Sequence, residues 1–239
     1  MVNILANLRN DVRMAANPEK AKLLARFFKT GKGEYGEGDR FYGIMVPVSR
    51  KIVAKYKDLS LDDIDVLIQS PVHEERLIAL LILVKQFQNG SGAVREKIYK
   101  FYLSHTRSVN NWDLVDLSAP RIAGEFLKTR DRSILYKLAR SKNIWERRIS
   151  IMSTFAFIYD LHELRDTFAI ADILLNDSHD LIQKAVGWML REVGKRVSLI
   201  EEESFLKPRC KTMPRTMLRY AIERFPEEKR KRYLTQILQ

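Results

Sequence analysis

Apolar residues recur along this chain at the three- and four-residue spacing of an α-helix, and no convincing run of period-2 alternation predicts a strand. Turn signals separate the helical stretches, for example Asn17-Pro18, Ser70-Pro71 and Gly90-Ser91-Gly92. The predicted helices cover residues 2–15, 18–29, 46–57, 61–69, 72–88, 93–104, 109–128, 132–142, 144–158, 164–175, 179–196, 200–206, 213–224 and 227–237. Short loops join most of them in pairs, and this pattern predicts an all-α fold, an α-solenoid of antiparallel helical repeats.

A weak internal repeat supports the solenoid. Arg76, Trp112, Arg148 and Lys184 lie 36 residues apart, each in the first half of a predicted helix. HEAT and armadillo repeats are about 40 residues long, so this spacing is short but compatible with them. We therefore expect one HEAT-like repeat domain over residues 1–239, curved so that equivalent helices line a concave basic surface.

The long irregular stretch runs from Thr30 to Met45 and holds five of the ten glycines. Gly31, Gly33 and Gly36 match the spacing G-x-G-x-x-G, but a dinucleotide site also needs a preceding strand and a following helix. A helix is predicted before this stretch instead. We expect a mobile or ligand-contacting loop, since glycine allows close approach of the backbone.

Charge narrows the class of partner. The chain carries 42 Lys and Arg against 30 Asp and Glu, a net charge of +12. Such a protein attracts polyanions, so nucleic acid is the first expectation and an anionic membrane the second. The longest apolar run, Leu77 to Val84, is far shorter than the roughly 20 residues that span a bilayer. The single cysteine, Cys210, and the absence of a signal-peptide pattern predict a cytoplasmic protein without a membrane partner.

Metal and nucleophile chemistry find little support. The histidines are scattered, no H-E-x-x-H pairing occurs, and Cys210 has no base near it in sequence. We expect each histidine to be a surface or helix-capping residue: His73, His105, His162 and His179. No metal and no cofactor are predicted.

Two side-chain stripes run along residues 181–195. Ile182, Val186, Met189 and Val193 share one helical face, which is typical of a core. The second stripe is cationic with a tryptophan in its middle, and Gly187 lies beside that tryptophan: Lys184, Trp188, Arg191 and Lys195. A surface that meets a sugar-phosphate backbone fits this stripe, and a solvated basic face with a half-buried tryptophan fits it equally well.

A second candidate lies in residues 108–121. Trp112 and Asp116 are four residues apart, so they lie on one face of the predicted helix. A carboxylate beside an indole is partly desolvated and acts strongly on a developing cation. The alternative is an aspartate favoured by the dipole at a helix N-terminus, which explains Asp113 better than Asp116.

A third candidate is the pair of Trp145 and Arg148, which can share a helix face. All three tryptophans of the chain thus lie near charged groups on predicted helices. Core or boundary packing is the ordinary explanation for a tryptophan and stays open.

These segments resemble the AlkD family of bacterial DNA glycosylases. The similar stretches occur in family order, and the last is the most specific: NPEKAKLLARFFK at residues 17–29, WDLVDLSAP at 112–120, NIWERR at 143–148 and IQKAVGWMLREVGK at 182–195. The resemblance implies HEAT-like repeats around duplex DNA and hydrolysis of the N-glycosidic bond of N3- and N7-alkylated purines, with the modified base left stacked. Trp112, Asp116 and Trp188 match the family's catalytic cluster, Arg148 and Arg191 match residues that line its DNA groove, and Phe27 matches an aromatic residue near the lesion.

The chemistry of the residues agrees with that implication. An alkylated purine already carries positive charge and leaves without a general acid, so the difficult species is the oxocarbenium-like sugar. Indole faces attract cations by roughly 0.5–2 kcal/mol each, and a carboxylate adds electrostatic stabilisation and can orient the attacking water. We expect a monomer on alkylated duplex DNA, with no obligate protein partner.

Two other functions are compatible with the same features. A non-catalytic module could bind branched or distorted DNA, and a HEAT-like scaffold could bind protein while its charge is incidental. Steep salt dependence of duplex binding separates the scaffold from the other two. Release of a methylated purine separates the enzyme from the non-catalytic binder.

Overall fold

The computed structural model describes residues 4–235, and every regular element within that range is helical. An isolated bridge between Arg40 and Val72 is the only strand-like pairing recorded among those residues. The all-α prediction is confirmed. The predicted helices 2–15 and 227–237 extend to residues 2–3 and 236–237, which lie outside the described residues. No helix of the described range is both long and apolar enough to cross a membrane.

The chain divides into two compact units, one that ends at Ser118 and one that begins at Ala119. The prediction of a single domain over residues 1–239 stays a prediction. Of the four positions spaced by 36 residues, two belong to each unit, and each lies in the first half of its helix. The predicted concave surface also stays a prediction.

The first unit is organised around its longest helix, α5. The helices of this unit are α1 (Ile4–Met14), α2 (Pro18–Phe27), α3 (Val46–Lys55), α4 (Leu61–Ile68), α5 (His73–Asn89), α6 (Gly92–Ser104) and α7 (Trp112–Ser118). Helix α5 packs against α3, α4, α6 and α7. It is buried on all sides from His73 to Val84, which explains why the run from Leu77 to Val84 is apolar around its whole circumference.

The glycine-rich segment, residues 30–45, forms no helix, as predicted, and its second half is packed against the unit. The Glu74 carboxylate accepts hydrogen bonds from the backbone N–H groups of Tyr42, Gly43 and Ile44 at 2.8–3.1 Å. Gly43 has φ +82°, and a Cβ there would lie 2.1 Å from the carbonyl oxygen of Asn17. Only glycine fits this close approach to the start of α2.

The second unit is organised around α12. Its elements are a π-turn (Pro120–Gly124), α8 (Glu125–Leu127), α9 (Ser133–Ala139), α10 (Ile144–Ser153), a second π-turn (Phe157–Leu161), α11 (Arg165–Ile173), α12 (Asp180–Arg196), α13 (Leu199–Leu206), α14 (Arg215–Ala221), a 3₁₀ turn (Ile222–Arg224) and α15 (Glu227–Thr235). Helix α12 packs against α10, α11, α13 and α14.

Two predicted helices are shorter than expected. The prediction of one helix over 109–128 is wrong, because α7 ends at Ser118 and a π-turn begins at Pro120. Pro120 lacks the N–H group that an α-helix would use at that position. The following turn is wider than an α-helix, because the N–H of Gly124 bonds the carbonyl of Ala119, five residues earlier, at 2.9 Å. The predicted helix 144–158 ends at Ser153, whose hydroxyl bonds the carbonyl of Ile149 in its own helix.

Candidate active site and nucleic-acid surface

Helix α7 presents the predicted tryptophan and aspartate together. Trp112 is its first residue and Asp116 lies one turn later, and both are half-buried. Leu114 and Val115, on other faces, are fully buried. The short helix is therefore held by its apolar side, while the face with the indole and the carboxylate stays partly open to solvent.

An aromatic cluster fixes the indole of Trp112. The ring stacks on Phe28 with centroids 5.2 Å apart and meets Phe27 edge-on at 5.8 Å. Phe28 stacks in turn on Phe41 at 5.3 Å. Phe27 is 61% exposed, whereas Phe28 is 6% exposed. The structure therefore brings the predicted Phe27 and Trp112 into contact, and it adds Phe28 and Phe41, which sequence reasoning missed.

His73 lies buried beneath this cluster, so its prediction as a surface or capping residue is wrong. It is 2% exposed, and its Nε2 and Nδ1 lie 2.9 Å from Asp113 and 3.3 Å from Asp39. Carboxylates only accept hydrogen bonds, so both ring nitrogens donate and the ring is an imidazolium. Burial opposes that charge, but attraction and hydrogen bonding from Asp113, with a further bond from Asp39, raise the pKa of His73 to about 9.

The other histidines behave as predicted. His179 caps α12 by accepting a hydrogen bond from the N–H of Leu181 at 3.1 Å. His105 follows the last residue of α6, and His162 is exposed with a left-handed backbone at the end of a π-turn. His73 differs from these three because it is fully buried and both of its ring nitrogens lie near carboxylates.

Asp39 connects the glycine-rich segment to the same network. Its second oxygen accepts from Arg76 at 2.7 Å, and Arg76 also donates to the carbonyl of Ser70 at 2.9 Å. Burial would raise the pKa of Asp39, but the bonds from His73 and Arg76 outweigh it and hold the pKa below its usual value. Asp39 and Phe41 lie in a segment without helical periodicity, so no spacing could have assigned them to the site.

In the second unit, α12 carries both predicted stripes. The four apolar residues of the first stripe are fully buried: Ile182, Val186, Met189 and Val193. In the second stripe Lys195 is exposed, while Lys184, Trp188 and Arg191 are half-buried. The sequence period therefore separated the packed and open faces of this helix correctly.

Local partners hold the second stripe in place. Trp188 donates its indole N–H to Glu192 at 3.2 Å, and Lys184 pairs with Asp180 at 2.6 Å. Arg191 forms an ion pair with Glu223, which follows α14. Carboxylates thus hold two cations of this face, and a phosphate group would compete with Asp180 for Lys184 and with Glu223 for Arg191.

Gly187, the neighbour of Trp188 in sequence, serves helix packing. A Cβ at Gly187 would lie 2.4 Å from the carbonyl oxygen of Met217 and 2.6 Å from Cβ of Tyr220. Both belong to α14. The glycine therefore allows α12 and α14 to approach closely, and it does not shape the open face that carries Trp188.

The pair on α10 lies inside the second unit. Trp145 is 6% exposed and Arg148 is 5% exposed, so the packing explanation holds for Trp145. Arg148 donates to the carbonyl oxygen of Leu181 at 2.5 Å. The structure thus covers Arg148 instead of displaying it on a solvated helix face, and its phosphate contact stays a prediction.

Comparison with known proteins identifies a family and a similar fold. A family model described as DNA alkylation repair enzyme matches residues 8–225. The fold is similar to the solved structure of a predicted DNA alkylation repair enzyme from Enterococcus faecalis, with a TM-score of 0.69 and 17% sequence identity. The alignment covers 89% of this chain and 97% of that one. No curated protein matches the sequence significantly.

Proposed function

The chain belongs to the DNA alkylation repair enzyme family, and from that premise we propose that it is a DNA glycosylase for N3- and N7-alkylated purines. It acts as a monomer on duplex DNA and leaves the modified base stacked. The observation that carries the proposal is the pairing on α7 of a half-buried carboxylate, Asp116, with an indole, Trp112, held by two phenylalanine rings.

The reaction needs stabilisation of a cation more than it needs a proton donor. As the bond from C1′ to the purine nitrogen breaks, its electron pair neutralises the positive base and the sugar becomes an oxocarbenium ion. Asp116 offsets that charge, and the indole faces of Trp112 and Trp188 attract it. Water then adds to C1′ and releases its proton, with Asp116 placed to orient the water or accept the proton.

The basic character of the chain supports a nucleic-acid partner. The net charge is +12, and the open face of α12 carries Lys184, Arg191 and Lys195. We assign these residues, together with Arg148, to phosphate contacts, and Phe27 to contact near the lesion. The ring of Phe27 is exposed and contacts Trp112.

The decisive experiment is incubation of the protein with duplex DNA that contains N7-methylguanine, followed by chromatography of free base. We expect release well above the spontaneous rate measured without protein. Binding to this duplex without release would instead identify a non-catalytic binder of distorted DNA. Binding to neither duplex nor branched DNA would favour a protein-binding scaffold.

The leaving group gives a second test. Trp112, Asp116 and Trp188 do not include a group suited to protonate a departing purine, so neutral bases should remain attached. Duplexes with deoxyuridine or 1,N6-ethenoadenine are the matched substrates. Efficient excision of uracil would reveal a general acid and contradict the assigned mechanism.

A further inference from the structure

We infer that His73 is a positioning residue of the proposed active site, where its imidazolium joins the first turn of α7, and with it Trp112, to the glycine-rich segment. The inference rests on the proposed function for its catalytic consequence. His73 itself is 2% exposed and cannot touch DNA, so it acts only through its neighbours.

Two routes lead from the His73 ring to Trp112. The first is polar: Nε2 lies 2.9 Å from Oδ2 of Asp113, whose other oxygen accepts from the N–H of Leu114 at 2.8 Å. Asp113 follows Trp112 directly in the chain. This bond therefore anchors the backbone from which the indole projects.

The second route is aromatic. The imidazole packs against Phe28 and Phe41 with centroids 4.8 and 4.7 Å away, and Phe28 stacks on Trp112 at 5.2 Å. Phe41 and Asp39 both come from the glycine-rich segment. The His73 ring thus touches the segment and the support of the indole at the same time.

The charges around the ring favour its protonated form. The charged groups that face it are Asp39 from the glycine-rich segment, Asp113 from α7 and Arg76 from its own helix. With His73 protonated, two cations balance two carboxylates. Loss of the proton leaves two buried carboxylates with one cation and removes one donated hydrogen bond, so the first turn of α7 is held less firmly.

The matched pair of variants is His73→Gln and His105→Gln. His105 lies in the same unit, bonds Asp65 at 2.7 Å and stacks on Phe101 at 4.1 Å. His105→Gln therefore removes a comparable set of contacts, with one carboxylate and one aromatic ring, but these contacts join α4 to α6 and do not reach α7. Any effect special to His73 therefore reports on α7.

The activity measurement is single-turnover release of N7-methylguanine with protein in excess. We expect His73→Gln to lower the rate about 10–100-fold, because small displacements of a positioned group have effects of this size. Affinity for undamaged duplex should stay within about twofold in the same variant. His105→Gln should leave both quantities near the wild-type values.

A spectroscopic readout tests positioning without turnover. The fluorescence difference between the wild type and Trp112→Phe isolates Trp112, and we expect this difference to change with pH near 9 as His73 loses its proton. The same titration should be flat in His73→Gln and preserved in His105→Gln.

The inference fails if His73→Gln is folded and releases base as fast as His105→Gln, or if the Trp112 signal is constant from about pH 8 to 10. If His73→Gln does not fold, the wild-type titration still decides. If the wild type releases no base, the proposed glycosylase is wrong, and the fluorescence titration judges the positioning of Trp112 separately.

Discussion

Helices α7 and α12 carry the assigned site residues, and they are held in different ways. Helix α7 has 7 residues, and its anchor at Asp113 pairs with His73, 40 positions away in the chain. Helix α12 has 17 residues, and Trp188 bonds Glu192, four positions away on the same helix. The indole of α7 packs on rings from outside its helix, whereas the hydrogen bond of the α12 indole goes to a residue of its own helix.

The two helices also differ in chemistry. The open face of α7 presents a carboxylate, while the open face of α12 presents cations around an indole. A carboxylate that must act on a transient charge needs a fixed position, which a tertiary network supplies. Cations that bind a phosphate backbone can tolerate mobile side chains, since counterion release depends little on exact geometry.

The largest expected effect is on α7. Asp116→Asn should lower base release about 10²–10³-fold, because it removes the negative charge that offsets the sugar cation. Duplex affinity should not fall, since the substitution removes a negative charge that repels the phosphates. Single-turnover kinetics and a binding titration measure both, with Asp62→Asn on the exposed first turn of α4 as the control. Retention of more than half of the wild-type rate would remove Asp116 from catalysis.

A smaller catalytic loss is expected at α12. Trp188→Leu removes one indole face, worth roughly 0.5–2 kcal/mol, so base release should fall about 2–30-fold. Trp112→Leu should lose at least as much activity and also lower the melting temperature, because Phe27 and Phe28 lose their partner. If Trp188→Leu destabilised the fold as strongly as Trp112→Leu, the contrast between locally and distantly held helices would be wrong.

Effects on DNA binding should be modest and independent of the lesion. Arg191→Ala and Lys195→Ala should each flatten the slope of log K against log salt by about 0.9, for damaged and plain duplex alike. Arg148→Ala should flatten it likewise and also lower the melting temperature, because that guanidinium is buried. Lys137→Ala, which removes an exposed lysine of α9, is the control. Unchanged slopes in folded variants would remove these residues from the DNA surface.

The smallest expected effect on base release is at Glu202 in the second unit, where the expected change is in the pH dependence of stability. Glu202 on α13 is 1% exposed, and burial, with repulsion from Glu203, raises the pKa of its carboxyl to about 8. The folded state therefore favours the protonated form, and stability falls as pH rises from about 4.5, the ordinary value, through about 8.

Glu202→Gln should weaken that pH dependence, while Glu201→Gln, on the exposed side of the same helix, should leave it intact. Urea unfolding at pH 5 and pH 8 measures the difference, which is about 1.4 kcal/mol for each unit of pKa shift. Parallel pH profiles for both variants would contradict the assignment to Glu202. Base release at neutral pH should change little in either.

Much of the architecture followed from the sequence alone. Helical periodicity placed the buried stripe of α12 at Ile182 to Val193, and turn residues such as Asn17 marked where helices begin. These features depend on interactions within about four residues, so one chain read in order contains them. The same locality allowed Trp112 and Asp116 to be placed on one face of α7.

Tertiary structure alone decided how that face is supported. Nothing in the local pattern distinguishes His73 from a capping histidine, or Asp39 and Phe41 from an ordinary polar loop. Their roles come from contacts between residues 32 to 40 positions apart, brought together when the start of α5 is buried between the glycine-rich segment and α7. The same holds for Arg148, which is buried and donates a hydrogen bond to the carbonyl of Leu181, 33 positions away. The spacing of hydrophobic residues indicates which side of a helix is buried. Which buried charged groups pair with one another depends on the tertiary fold, because a buried charge is costly without a partner.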